Sequence, residues 1–530
     1  MTTSVDITLT SDNGSNESLI FETLKKSGAV KHLSFHSNLF HHWRHEFTTS
    51  CSMSVASSLP PHLQSIEFCK LKIGDWSAVL VESTTQNRKL EIHVQNCDIT
   101  NIAASALRYA LQTNRIKQLH VRSCSFSTEE GIQEISSGLR NTESLVTLYL
   151  SGLRGPLSPG LRCPLSRLIQ DICLMIRRNA ALTHLQLHRM NLGDDDLSLI
   201  ARAIEGHQTL ISLDVSGNTL FGAPGIMDLV SMTMRVPTLR EVNLKNCSLN
   251  SEALAMLATR LVGNQTVQKL DLSGSAIDDA SAVLFRYLLH GNEFLKILEV
   301  AMCNLSSAGF MSIVAGLAWN VALDEFMAGE NPQIDSSALE TYLELVRANK
   351  GPAEVYLSVT MSTPHRSFIN VNDDLAADFA LALQRNTKLK RFTFGMVSFA
   401  GLCSIFNGLA DMKLRELNIY CEGLDDGLTS EDMARLLQSV KENTSICSLL
   451  ANGEEPVNAA IGEADPLLQY YLKLNRAGRY VLKESVTCMP PSLWANHLSR
   501  SSDDPDVLFY FLRMKPTLVG TMTWSESQVQ

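Results

Sequence analysis

The sequence predicts an α/β solenoid, in which short parallel strands stack side by side on one face and each returns through a helix on the other. Three observations carry this. The pattern apolar-x-apolar-x-x-(Cys/Asn)-x-apolar recurs through the middle of the 530-residue chain with starts at Leu185, Leu213, Val242, Leu270 and Leu298, so the intervals are 28, 29, 28 and 28 residues. Each copy is followed by apolar residues at three- and four-residue spacing, opened by Asp or Ser, which reads as a capped amphipathic helix. The composition, 45% hydrophobic and 19% charged, is that of an ordinary soluble chain, and its length suits an elongated array.

Within a unit the apolar residues at i and i+2 face inward from a strand, and those between them face out. The register extends upstream to Leu148, Leu119 and Ile92, more weakly to Ile66 and Leu33, and downstream to Phe326, Val355, Phe392, Leu417 and Leu449. About fourteen or fifteen units then span 31–455. The sixth position holds Cys97, Cys124, Cys247 and Cys303 or Asn218 and Asn331, where a buried polar group can satisfy backbone groups freed by the turn. Cysteines that recur with the repeat read as structural, not as metal or redox groups. Asp194, Ser251, Asp278 and Ser306 stand where helix N-caps are wanted, and acid pairs such as 278–279 and 373–374 suit helix starts better than catalytic carboxylates. Gly206, Gly263 and Gly291 fall where a left-handed residue would close a helix.

A full helix in every 28–29-residue unit, with "LREVNLKNCSL" and "IKQLHVRSCSF" carrying the motif LxxLxLxxCxL, resembles the ribonuclease-inhibitor-like class of leucine-rich repeats over most of the chain. The resemblance implies a horseshoe with parallel strands on the concave face and helices on the convex face. It leaves function open, since this architecture hosts unrelated binders. Residues 1–30 read as a partly disordered N-terminal segment, 31–455 as the solenoid, 456–520 as a helical cap and 521–530 as a flexible tail. In the cap, Pro466 after Asp465 opens an amphipathic helix with Leu467, Leu468, Tyr471, Leu474 and Tyr480 on its apolar side; a second helix surrounds Trp494 and a third lies between Pro505 and Pro516. The tail "YLKLNRAGRYVL" to "DPDVLFYFLRMKP" is similar to that of uncharacterised leucine-rich-repeat proteins of diatoms and related algae.

Function is then sought on the concave strands. The register turns His93, His120, Arg122, Gln186, His188, Arg189, Asn243 and Lys245 outward, with Asp214, Asp271, Glu299 and Glu330 from the middle onward, a positive-then-negative surface suited to a charged protein partner. The chain is expected to be a non-catalytic protein-interaction scaffold. Two alternatives stand beside this. Ran GTPase-activating proteins use an arginine on a strand-to-helix loop, which would make Arg154 or Arg162, in the insertion 151–166, the means of activating a small GTPase. The C-terminal helices also resemble a ubiquitin-ligase adaptor box, with Tyr471 where its Cys would stand, which would make the chain a substrate-recognition adaptor. The histidines His32, His36, His41, His42 and His45 read as a divergent first repeat, not a metal site. No G-x-x-x-x-G-K-[ST], H-E-x-x-H or G-x-S-x-G motif occurs, so no enzyme activity, cofactor or metal is expected. A net charge of −10 disfavours nucleic acid and anionic membranes as partners. Without a recognisable leader or an 18-residue apolar run, the expected place is the cytoplasm, or the nucleus.

Overall fold

The computed structural model describes residues 3–9, 30–37, 46–48, 53, 55–56, 59, 62–85, 89–154, 165–219, 222–233, 235–357, 369–421, 428–452, 465–482 and 504–514. These fall into two compact units, Met1–Ala276 and Ile277–Gln530. Each is an α/β stack of parallel strands backed by helices. In the first unit the strands Thr3–Leu9, Val30–Ser37, Ser65–Cys69, Leu90–Gln95, Ile116–Arg122, Thr147–Ser151, His184–His188, Ser212–Asp214, Glu241–Asn243 and Lys269–Asp271 pair in sequence order, all in parallel. Just past their ends, Glu46–Phe47, Lys72–Ile73, Asp98–Ile99 and Ser125–Phe126 form a second, four-stranded parallel sheet. In the second unit Ile297–Glu299, Glu325–Met327, Glu354–Tyr356, Arg391–Val397, Glu416–Cys421 and Ser448–Asn452 pair in the same manner. No helix among the described residues is long and apolar enough to cross a membrane.

The first strand, Thr3–Leu9, lies inside the segment read as separate and partly disordered. It pairs along its whole length with Val30–Ser37 and buries Ile7. The alternation Val5-Asp6-Ile7 is a strand signal, but Thr10 and Asp12 stand where the motif wants Cys or Asn and then an apolar residue, so the repeat is not recognisable there.

Parallel strands need long returns, and each return leaves corner backbone groups that must find partners away from water. Asn218 supplies four: its Oδ1 accepts from the N–H of Met190 and Leu192, and its Nδ2 donates to the carbonyls of Leu187 and Val215. Asn331 repeats this with Cys303, Leu305, Val300 and Ala328. Cys97, Cys124 and Cys247 do a weaker version, each thiol donating to a carbonyl of the preceding repeat at 3.4 Å. Burial pushes the Cys247 thiol up to about 12, so the slot holds an unreactive neutral group.

At the other corner a second asparagine series does the same work. Asn320 Nδ2 donates to the carbonyls of Leu289 and Asn292, and its Oδ1 accepts from the N–H of Ala322 and Leu323. Asn179, Asn386 and Asn443 stand at equivalent helix ends with equivalent bonds. Of the glycines expected to close helices, Gly206 is left-handed (φ 71°) just past helix Asp194–Ile204, whereas Gly263 is not left-handed and Gly291 is the last residue of helix Asp279–Gly291. Two caps are as expected, Asp278 accepting from Ser281 N–H and Ser306 from Gly309 N–H. The other two shift by one residue, to Gly193 and Asn250.

Beyond the last strand, helix Pro466–Arg476 is capped by Asp465, which accepts from the N–H of Leu467 and Leu468. Its buried side holds Leu468, Leu472 and Leu474; Leu467 and Tyr480, expected on the apolar side, are 50% and 48% exposed. Leu474 and Ala477 pack with Val507 and Phe511 of helix Pro505–Met514. Arg479 takes the part an asparagine plays elsewhere, donating through Nη2 to the carbonyls of Val440 and Asn443, with its guanidinium 5.1 Å from the Tyr471 ring. The helix expected around Trp494 lies outside the described residues.

Asn320→Ala removes four buried bonds and leaves two carbonyls and two amides unsatisfied. We expect it to cost roughly 3 kcal/mol, against roughly 1 kcal/mol for the surface cap Ser306→Ala, read from urea unfolding midpoints of the full chain.

Candidate functional site

Parallel register sorts the outward strand positions of the first unit into three rows. The row nearest the strand starts is His32, Ser65, Glu91, Gln118, Thr147, His184, Ser212, Glu241 and Lys269. The middle row is Asp6, Ser34, Glu67, His93, His120, Tyr149, Gln186, Asp214, Asn243 and Asp271. The third, at the strand exits, holds His36, Cys69, Gln95, Arg122, Ser151 and His188, and continues through Ser216 and Lys245. Most of these side chains are half-buried, because neighbouring strands lie only about 4.8 Å apart.

His93, His120, Gln186, His188, Asp214, Asn243 and Lys245 therefore share one face, as the register predicts. Arg189 and Glu330 do not lie on strands: each follows a strand end in a left-handed turn, with φ of 51° and 56°. The charges also sort differently from the expected positive-then-negative run along the chain. In the first unit the acids Asp6, Glu67, Glu91, Asp214, Glu241 and Asp271 occupy the first two rows, while Arg122, Arg189 and Lys245 occupy the exit side. Two acids expected to meet a partner are engaged within the protein. Asp214 accepts from Ser216 N–H (2.8 Å), Ser216 Oγ (2.5 Å) and Asn243 Nδ2 (3.1 Å). Asp271, 5% exposed, accepts from Ser273 N–H. A polar residue at i takes the N–H of i+2, as Asn243 also does for Lys245, where the strand ends.

The centre of the middle row is aromatic. The His93 and His120 rings lie 4.4 Å apart, and His120 meets Tyr149 edge-on at 5.6 Å. His120 Nε2 is buried and has no hydrogen-bond partner among the described residues. Burial, and secondarily His93, depress the His120 imidazole to about 4. Burial also lowers His93, opposed by Glu67 and Glu91, and lowers His188, opposed by Asp214. His188 Nδ1 meets Ser216 Oγ at 2.8 Å, and Ser216 Oγ donates to Asp214; Ser34 Oγ likewise stands between His36 and Glu67. The serine sits between base and acid, so its proton is held by the carboxylate and the imidazole is not oriented to remove it. This order differs from that of a nucleophilic triad.

Arg154 is exposed, with its backbone fixed by bonds to Cys124 and Phe126; Arg162 lies outside the described residues. His41, His42 and His45 lie outside them too, while His32 and His36 are strand residues, His32 Nδ1 meeting Ser65 Oγ at 2.5 Å. No cluster of three or more His, Cys, Asp or Glu suited to a metal occurs among the described residues. In the second unit the middle row reads Glu299, Met327, Tyr356, Thr393 and Asn418. In the row before it Arg391 joins Glu354 (2.9 Å) to Glu416 (3.1 Å). Arg391, and the row as a unit, escaped the sequence reading, although a cation four residues before Gly395 in "RFTFG" and acids at the equivalent position of the adjacent repeats were visible in the register.

The family model described as "Leucine Rich repeat" matches residues 206–230 and 263–285. NACHT, LRR and PYD domains-containing protein 12 of Mus musculus is 24% identical over 445 residues, covering 78% of this chain and 37% of its own length. The ribonuclease inhibitor of Sus scrofa is 28% identical over 163 residues, covering 31% of this chain and 36% of its own length. A solved chain of the yeast Rad7 and Elc1 complex aligns with a TM-score of 0.41 at 14% identity, covering 68% of this chain and 87% of that one. The chain thus spans little more than a third of these two curated relatives. The chain is thus similar to leucine-rich-repeat proteins, and its parallel strands backed by helices are the arrangement such repeats form. The resemblance of the tail to algal proteins finds no support in these matches.

Because the folded His120 lies below an unfolded histidine, the unfolded chain takes up its proton first as pH falls. Stability is retained above about pH 6.5 and lost between there and about 4. After allowance for solvent screening the loss is roughly 1–2 kcal/mol. Urea midpoints at pH 7 and pH 5 should therefore fall further for the wild type than for His120→Gln.

Proposed function

We propose that the protein is a non-catalytic interaction scaffold that receives a partner protein on the outward strand face of its first unit. One observation carries this reading: the half-buried His93, His120, Tyr149 and Gln186 stand side by side, with His120 Nε2 buried and unmet. Tyrosine and other flat, rotamer-poor side chains gain the most on association, and an unsatisfied buried nitrogen favours a partner that brings it a hydrogen bond. The likeness to ribonuclease inhibitor and to NACHT-, LRR- and PYD-containing proteins supports a protein-binding role at the level of the repeat. The described cysteines are free, which agrees with a reducing compartment, and we place the protein in the cytoplasm on that ground.

The test is affinity capture from native extract with the full chain in three forms: wild type, a strand-face variant His93→Ala/Tyr149→Ala/Gln186→Ala, and a helix-face variant Ile102→Ala/Tyr109→Ala, whose targets are exposed on a helix. A protein held by the first and third and lost at least tenfold from the second is the expected result. Equal retention by all three would refute the strand-face reading.

A further inference from the structure

The strand-exit edge of the first unit carries a charge pattern that the acidic chain as a whole, at −10, conceals. Lys70, Arg122, Arg189 and Lys245 stand at this edge on every second repeat, separated by the repeats that present Gln95 and Asn96, Ser151 and Gly152, and Ser216 and Gly217. Two strand spacings make the step about 10 Å. Arg122 ends its strand in the third row and Lys245 continues that row two residues past its strand, while Lys70 and Arg189 follow theirs in left-handed turns with φ of 57° and 51°.

The carboxylates nearest this edge are satisfied from within. Asp214 takes three donors, Asp271 the N–H of Ser273, and Asp98 the hydroxyl of Ser125. Arg122, Arg189 and Lys245 form no ion pair with a carboxylate among the described residues, and the field of Arg189 and Arg122 is felt at His188, which both push down. The edge amides are already bonded to the next strand, as Gly217 N–H is to Lys245 O, so recognition here falls to side chains.

We propose that this edge binds an extended acidic segment of a partner protein, laid across the strands with a carboxylate at about every third residue. An extended chain advances about 3.3 Å per residue, so three residues span the step between cations. Duplex nucleic acid carries a charge every ~1.7 Å and each of its strands one every ~3.4 Å, several times denser than this row. The inference refines the scaffold reading and rests on it.

The test uses fluorescence anisotropy of the full chain with a labelled peptide repeating Glu-Ser-Gly for about twelve residues, and with an oligo-dT of matched length, in about 50 mM salt, where screening is weak. Arg122→Ala/Arg189→Ala/Lys245→Ala should weaken the peptide about tenfold or more, whereas Arg177→Ala/Arg178→Ala/Arg202→Ala, an equal loss of charge on the helices, should leave it unchanged. The single exposed substitution Arg122→Gln gives a several-fold loss and serves if the triple variant does not fold. Absence of peptide binding, an equal loss in both triple variants, or tighter oligo-dT binding abolished by the same edge variant would each overturn the proposal. A partner still captured through His93, Tyr149 and Gln186 would leave the scaffold reading standing when this one falls.

Discussion

The constraint on which the rest depends is hydrogen bonding at the two corners of each repeat. A parallel strand cannot be joined to its neighbour by a tight turn, so every unit must bring the chain around through buried space, and each corner strands amides and carbonyls there. Asn218 and Asn331 at one corner, and Asn320, Asn386 and Asn443 at the other, each bond to their own repeat and to the one before. Stability in such a stack is a sum of repeat and neighbour terms, and these side chains contribute to both. The terminal use of Arg479 follows from the same need. At the end of the last repeat helix the carbonyls of Val440 and Asn443 need donors from beyond the last strand; Asn475 reaches Asn443, and the longer Arg479 side chain reaches both from the 3-10 turn Arg479–Leu482 while its guanidinium lies against Tyr471.

Fixed corners free the outward strand face to vary. Inward positions are held to Leu, Val, Ile and Phe by packing, and most corner slots to Asn or Cys by bonding. The residues between them answer to neither demand, except where an acid at i ties down the N–H of i+2. Asp214 and Asp271 show how this misleads: by position they belong to the binding face, but their oxygens are spent on the end of the strand. What remains for a partner is the aromatic centre around His120 and the exit-side cations.

Much of the fold was legible because the period, the inward apolar pair and the Cys/Asn slot are demands made on single residues at fixed spacing. The helix-end asparagines were equally legible, in "NQTV", "NEFL", "NVAL", "NTKL" and "NTSI", each placing Asn three residues before a buried apolar residue that leads into the next strand. The first strand was lost for a different reason: with Thr10 and Asp12 in the slot and apolar positions of the motif, Val5 and Ile7 carry only a local alternation. On the candidate site, the register put His93, His120, Gln186, Asp214 and Asn243 in one outward row, yet could not say which of them were already bonded. That depends on the cross-strand partner and on whether a residue ends the strand or begins the turn, as Arg189 and Glu330 do.

Sign of charge illustrates the same limit. Listed along the chain, the outward residues run from basic to acidic, which suggests a gradient between the ends of the solenoid. Stacked by register in the first unit, the outward residues expected to meet a partner separate across the strands instead, Asp214 and Asp271 in the middle row and Arg122, Arg189 and Lys245 toward the exits. The second arrangement has a local cause: an acid that ends a strand can accept the N–H two residues on, as Asp214 and Asp271 do, whereas a cation there cannot. Strand-end bonding thus biases where each sign can sit, and a positive edge emerges on an acidic protein without any excess of basic residues.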